Sequence, residues 1–118
     1  MAYPWRSIAI TGASSGLGRA LAQALAAPGV TLHLSARDPG RLAETAVTCR
    51  ARGATVHETS LDVRDATATE AHLRAAGPLD LVIANAGISA GTGGLTEAAD
   101  QARTIIETNV QGVLNTAI

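Results

Sequence analysis

The chain has 118 residues, 47% hydrophobic and 16% charged, which excludes a disordered polypeptide and fits one domain with a modest core. Nine basic against ten acidic residues give a formal net charge of -1, no electrostatic footprint for nucleic acid or an anionic membrane. Cys49 alone makes no internal disulfide, and no Cys/His cluster has zinc-like spacing.

Met1 to Arg6 carries neither a signal peptide nor a membrane span, so a cytoplasmic domain is expected. Ser7-Ile-Ala-Ile10, ending at Thr11-Gly12, suits a buried parallel strand. Gly18 to Ala27 is rich in Ala and Leu and reads as a helix stopped by Pro28-Gly29. Val30 to Ala36 is a second strand. Asp38-Pro39 then supplies an N-cap and a first-turn proline for a helix to about Arg52, with Gly53 at its end. Ala54 to Leu61 is a third, less apolar strand, and Asp65 caps a short helix stopping near Gly77-Pro78. Leu79 to Ala84 is the fourth and most apolar strand, followed by a Gly-rich loop from Gly87 to Gly94. Thr96 caps a last helix, in which Ile105, Ile106, Asn109, Val110, Val113 and Ala117 share a face. The pattern is βαβαβαβα, which predicts an α/β fold: a parallel sheet covered on both faces, with nucleotides bound beyond its carboxyl ends.

Thr11-Gly-Ala-Ser-Ser-Gly-Leu-Gly18 lies between the first strand and the first helix. Glycines there allow a tight turn and a close approach of backbone to a pyrophosphate, whose charge the helix N-terminus favours. This segment resembles the cofactor-binding motif of the short-chain dehydrogenase/reductase family. Three further family-like motifs follow in order: Leu61-Asp-Val-Arg-Asp65, Asn85-Ala86-Gly87 and Asn109-Val-Gln-Gly112. Together they cover essentially the whole chain. The resemblance implies a Rossmann-like doubly wound sheet with strand order 3-2-1-4, truncated after four strands, so that residues 1–118 form a dinucleotide-binding half-domain.

By the same resemblance, Gly12, Ser14, Ser15, Gly16, Leu17 and Gly18 wrap the dinucleotide. Asp62 and Val63 edge the adenine pocket, the Asp62 carboxylate accepting from the exocyclic amine. Asn85, Ala86 and Gly87 shape the cofactor cleft, and Asn85 can equally satisfy backbone groups at the end of its strand. At the end of the second strand, Ala36 occupies the place where NAD-dependent members usually carry Asp. Arg37 follows, and a guanidinium can hold a 2′-phosphate bidentately. NADP(H) is therefore expected over NAD(H), against the reading in which Arg37 is solvated surface and Asp38 only a helix cap.

The family's chemistry is hydride transfer between nicotinamide and a carbonyl or alcohol, using Tyr, Lys, Ser and Asn. An unperturbed Tyr, with a pKa of about 10, needs a nearby cation to act near neutrality. Asn109 is the remaining member of that set. The chain has no Lys, its only Tyr is Tyr3 in the N-terminal tail, and Ser89 comes too early for the catalytic Ser. His33, His57 and His72 are separated along the chain and read as strand or helix surface. The expectation is an N-terminal half that keeps the cofactor site and is catalytically inactive alone. The alternative is a free-standing dinucleotide-binding or regulatory module; a flavodoxin-like or response-regulator domain leaves the Gly and Asn motifs unexplained. Stopping after four strands also predicts self-association, through the strand-four edge, the final helix or both.

Overall fold

The computed structural model describes residues 5–14 and 16–85. Four strands, β1 (Ser7–Thr11), β2 (Thr31–Ala36), β3 (Thr55–Ser60) and β4 (Leu81–Ile83), alternate with helices α1 (Gly16–Leu25), α2 (Pro39–Ala51) and α3 (Ala66–Ala76). All pairings are parallel, in the order β3-β2-β1-β4. This is the Rossmann-like arrangement expected from the sequence. The helix expected after Thr96 lies outside the described residues.

Local chemistry sets the element ends. Asp38 caps α2, its Oδ1 accepting from the amides of Gly40 and Arg41 at 3.0 and 3.2 Å, and Pro39 opens the helix. Asp65 caps α3 by accepting from the Ala68 amide at 3.0 Å. The fourth strand is shorter than the apolar run Leu79 to Ala84, because only Leu81, Val82 and Ile83 find register partners, in Ile8, Ala9 and Ile10. Before it, the Asp80 carboxylate accepts from the amides of Arg6 and Ser7 at 2.8 and 2.9 Å, fixing where β4 enters beside β1.

The two faces of the sheet differ. Ile8, Ile10, Leu32, Leu34 and Val56 share a cluster with Ala22 and Leu25 of α1 and Leu42, Ala46 and Cys49 of α2. Burial of these side chains is the main stabilising term, at about 1.5–3 kcal/mol for each large one. Alternation puts Ala9, Thr11, His33, Ser35, His57 and Thr59 on the other face. His33 is not strand surface but buried, 9% exposed, and the register pairs it with His57. The two rings stack with centroids 5.1 Å apart and an interplanar angle of 16°. Residues far apart in the chain are adjacent because parallel pairing aligns them, which spacing in sequence does not reveal. No described helix is long and apolar enough to cross a membrane.

Candidate nucleotide-binding site

The segments following all four strands meet at the carboxyl edge of the sheet. The loop after β1 is tied to β2 by the Ala13 amide, which donates to the Ser35 carbonyl at 3.1 Å. The end of β3 is tied to β2 by the Leu61 amide, which donates to the Ala36 carbonyl at 2.9 Å. On the other side, the Asn85 amide N–H donates to Thr11 Oγ1 at 3.0 Å, and Asn85 Nδ2 donates to the Gly12 carbonyl at 3.3 Å. Asn85 therefore satisfies backbone at the strand end and holds the glycine loop in place with the same side chain.

Within that loop the glycines have separate reasons. Gly16 has φ +58° and faces open space, so a positive-φ backbone lies bare at the start of α1. A β-carbon on Gly18 would sit 2.0 Å from the Gly12 carbonyl oxygen and 2.6 Å from Asn85 Nδ2. Only glycine lets α1 approach the loop this closely. No acidic residue stands in the first turn of α1, so its positive end is not neutralised from within that turn. Leu17 is 65% exposed beside it, and Ser14 is half-buried. These features suit an anionic group resting on the helix N-terminus with an apolar ring edge nearby.

At the end of β2, Ala36 is buried and Arg37 exposed. Among the described residues the Arg37 guanidinium forms no ion pair, whereas the Asp38 carboxylate is engaged with the start of α2. After β3, Val63 is buried and Asp62 is joined to Arg64 by a bidentate pair, Nη2 to Oδ2 at 2.7 Å. The hydrogen bonds from the Arg64 guanidinium hold the Asp62 carboxyl below the usual carboxylate range, with the more distant charge of Arg37 acting in the same sense.

Gly12, Ser14, Gly16, Leu17, Gly18, Arg37, Asp62, Val63 and Asn85 thus follow strand ends on one edge. Ser15, Ala86, Gly87 and Asn109 lie outside the described residues. Thr11 and Arg64 belong to motifs visible in the sequence, but nothing there assigns them a role. The signal for Arg64 is its position two residues beyond an aspartate, and for Thr11 its alternation with Ala9. The described residues include no cluster of three or more His, Cys, Asp or Glu side chains able to hold a metal.

A family model described as short chain dehydrogenase matches residues 6–118. An uncharacterized oxidoreductase of Myxococcus xanthus is 42% identical over 116 residues, covering 95% of this chain and 46% of that protein. The crystal structure of a short chain dehydrogenase from Mycobacterium paratuberculosis bound to NAD is 28% identical, with a TM-score of 0.79, covering 95% of this chain and 48% of that one. L-sorbose reductase from Gluconobacter frateurii, complexed with NADPH and L-sorbose, is 28% identical with a TM-score of 0.83, covering 99% and 46%. The chain spans less than half the length of each.

Proposed function

Because the chain belongs to the short-chain dehydrogenase/reductase family, we propose that its 118 residues supply the dinucleotide-binding half of an NADP(H)-dependent oxidoreductase. The observation that carries the choice of NADP(H) is the end of β2. Asp38, the one acidic group there, is turned into α2 as its cap, while the neighbouring Arg37 guanidinium is exposed and without an ion pair among the described residues. An acidic side chain aimed at the ribose would repel a 2′-phosphate; a guanidinium attracts it and can bind it through two parallel hydrogen bonds. Structural neighbours hold either cofactor, so the preference rests on these residues alone.

Each part of the edge then has a task. The positive-φ backbone at Gly12 and Gly16 and the N-terminus of α1 cradle the pyrophosphate, with Ser14 and Ser15 as hydroxyl donors. Leu17 covers the cofactor, Gly18 keeps the helix close, and Asp62 with Val63 borders the adenine. Asn85 holds the loop, and with Ala86 and Gly87 it is assigned to the cofactor cleft. When bound, the nicotinamide supplies or takes up the hydride exchanged with a carbonyl or alcohol carbon. Asn109 would take part in the proton relay. A chain with no Lys and only Tyr3 lacks the Tyr and Lys pair for that transfer, so the 118 residues by themselves bind cofactor without turnover. Self-association through β4 belongs to the same reading: Val82 is 40% exposed on a strand that pairs only with β1 among the described residues. A concentration-independent monomer in sedimentation would remove it.

The test is titration of the chain with NADPH and NADH, before and after Arg37→Ala. The variant is expected to lose at least about tenfold for NADPH, about 1.4 kcal/mol, and little for NADH. Equal losses for both would overturn the assignment.

A further inference from the structure

The inference rests on the reading of Asp62 as the adenine contact and adds a residue to it. Arg64 closes on Asp62 from two directions. Its backbone N–H and its Nε donate to Oδ1 at 3.0 and 3.1 Å, and Nε and Nη2 donate to Oδ2 at 3.1 and 2.7 Å. Nε is shared between the two oxygens, so three N–H groups make these four contacts and, counted as donors, leave about one of the carboxylate's roughly four acceptor positions. Both side chains are about one-third exposed, at 31% and 33%, so a ligand can reach the pair. Asp62 itself stands at the carboxyl edge, directly after the Leu61 amide that ties the end of β3 to Ala36.

We propose that Arg64 is a positioning residue for the adenine pocket: its fork holds Asp62 in one orientation and presents a single acceptor to the exocyclic amine. A carboxylate without the fork would have to be ordered when the base binds, at a cost in affinity. It would also keep several acceptor positions free for water or other donors. A purine whose amine is replaced by a carbonyl offers no donor at that point and meets only the carboxylate's charge. The fork thereby sharpens adenine over a 6-oxo purine. Lys cannot reproduce this geometry, being a point charge on a flexible stem. The backbone N–H of residue 64 survives any non-proline substitution, so the turn at Asp62 keeps one of its hydrogen bonds in the variants.

The experiment measures affinity of the chain for NADP+ and for its hypoxanthine analogue, with urea unfolding followed in parallel. The parent chain is expected to prefer NADP+ by about tenfold or more. Arg64→Met, which keeps the unbranched stem, and Arg64→Lys should both bring the ratio toward one; Asp62→Ala should do the same, and adding Arg64→Met to it should change nothing further. A lost urea midpoint with an unchanged ratio would mean that Arg64 only stiffens the turn, and would overturn the proposal. So would an unchanged ratio in Arg64→Lys, should Arg64→Met fail to fold. If Asp62→Ala keeps the discrimination, or the parent chain binds neither nucleotide, the reading of the site falls first and this proposal with it.

Discussion

Gly18 and Gly12 are in contact through the absence of a side chain: a β-carbon on Gly18 would overlap the Gly12 carbonyl oxygen at 2.0 Å. The obstacle is backbone, which cannot rotate aside. Gly18→Ala should therefore push α1 away from the loop and destabilise the chain by about 2–4 kcal/mol, at the upper end of overpacking costs. Gly16→Ala meets nothing within 4 Å and costs only its positive φ, about 1–2 kcal/mol. Urea unfolding of the two variants checks the order, and equal losses would contradict it.

Asn85 donates to Gly12 and accepts nothing from it, so its replacements separate hydrogen bonding from charge. Asn85→Ala should cost about 1 kcal/mol, the net worth of one such bond. Asn85→Asp should cost more at neutral pH, because it sets a carboxylate against a carbonyl oxygen. Unfolding at neutral and at acidic pH is the measurement; the excess cost of Asp should shrink when that carboxyl is protonated.

The stacked histidines predict acid sensitivity. Burial, then the charges of His57 and His72, lower the His33 pKa below 6.5, and burial lowers that of His72. The folded state thus disfavours the protonated rings. Their contribution to stability is whole above about pH 6.5 and is lost as pH falls through the lowered values. The melting temperature should drop between about pH 7 and pH 5. His57→Gln removes a repelling neighbour of His33 and should flatten that drop; an equally steep profile would contradict the assignment.

Asp80 behaves oppositely. The amides of Arg6 and Ser7 lower its carboxyl pKa, so the contribution is present above about pH 4 and disappears as pH falls through the lowered value. Asp80→Asn should lower the melting temperature at neutral pH and match the parent chain in strong acid. A deficit that persists in acid would show that the carboxylate charge is not what ties β1 to β4.

Much of this architecture is legible along the chain because its causes are local. Asp38-Pro39 and Asp65 announce their helices, since a cap and its amides lie within four residues of each other. The glycine loop is legible for the same reason: its spacing, between an apolar strand and an Ala-rich helix, is contiguous. The helix after Thr96, together with Ser15, Ala86, Gly87 and Asn109, lies outside the described residues. The length of β4 was not legible, because hydropathy marks Leu79 to Ala84 while only partners on β1 decide which residues pair.

By itself the sequence determined the alternation of elements, the glycine loop and the candidate residues on each strand end, because period, caps and turns are short-range. The tertiary structure decided which of those residues touch. Asn85 reaches Gly12 across 73 positions, and His33 finds His57 through strand register. Arg64 sits two residues from Asp62, yet its bidentate fork depends on the bend after β3, which residue spacing alone does not show. Those relations depend on how the chain turns and on sheet order and register, which bring distant residues within a few ångströms and which no local pattern encodes.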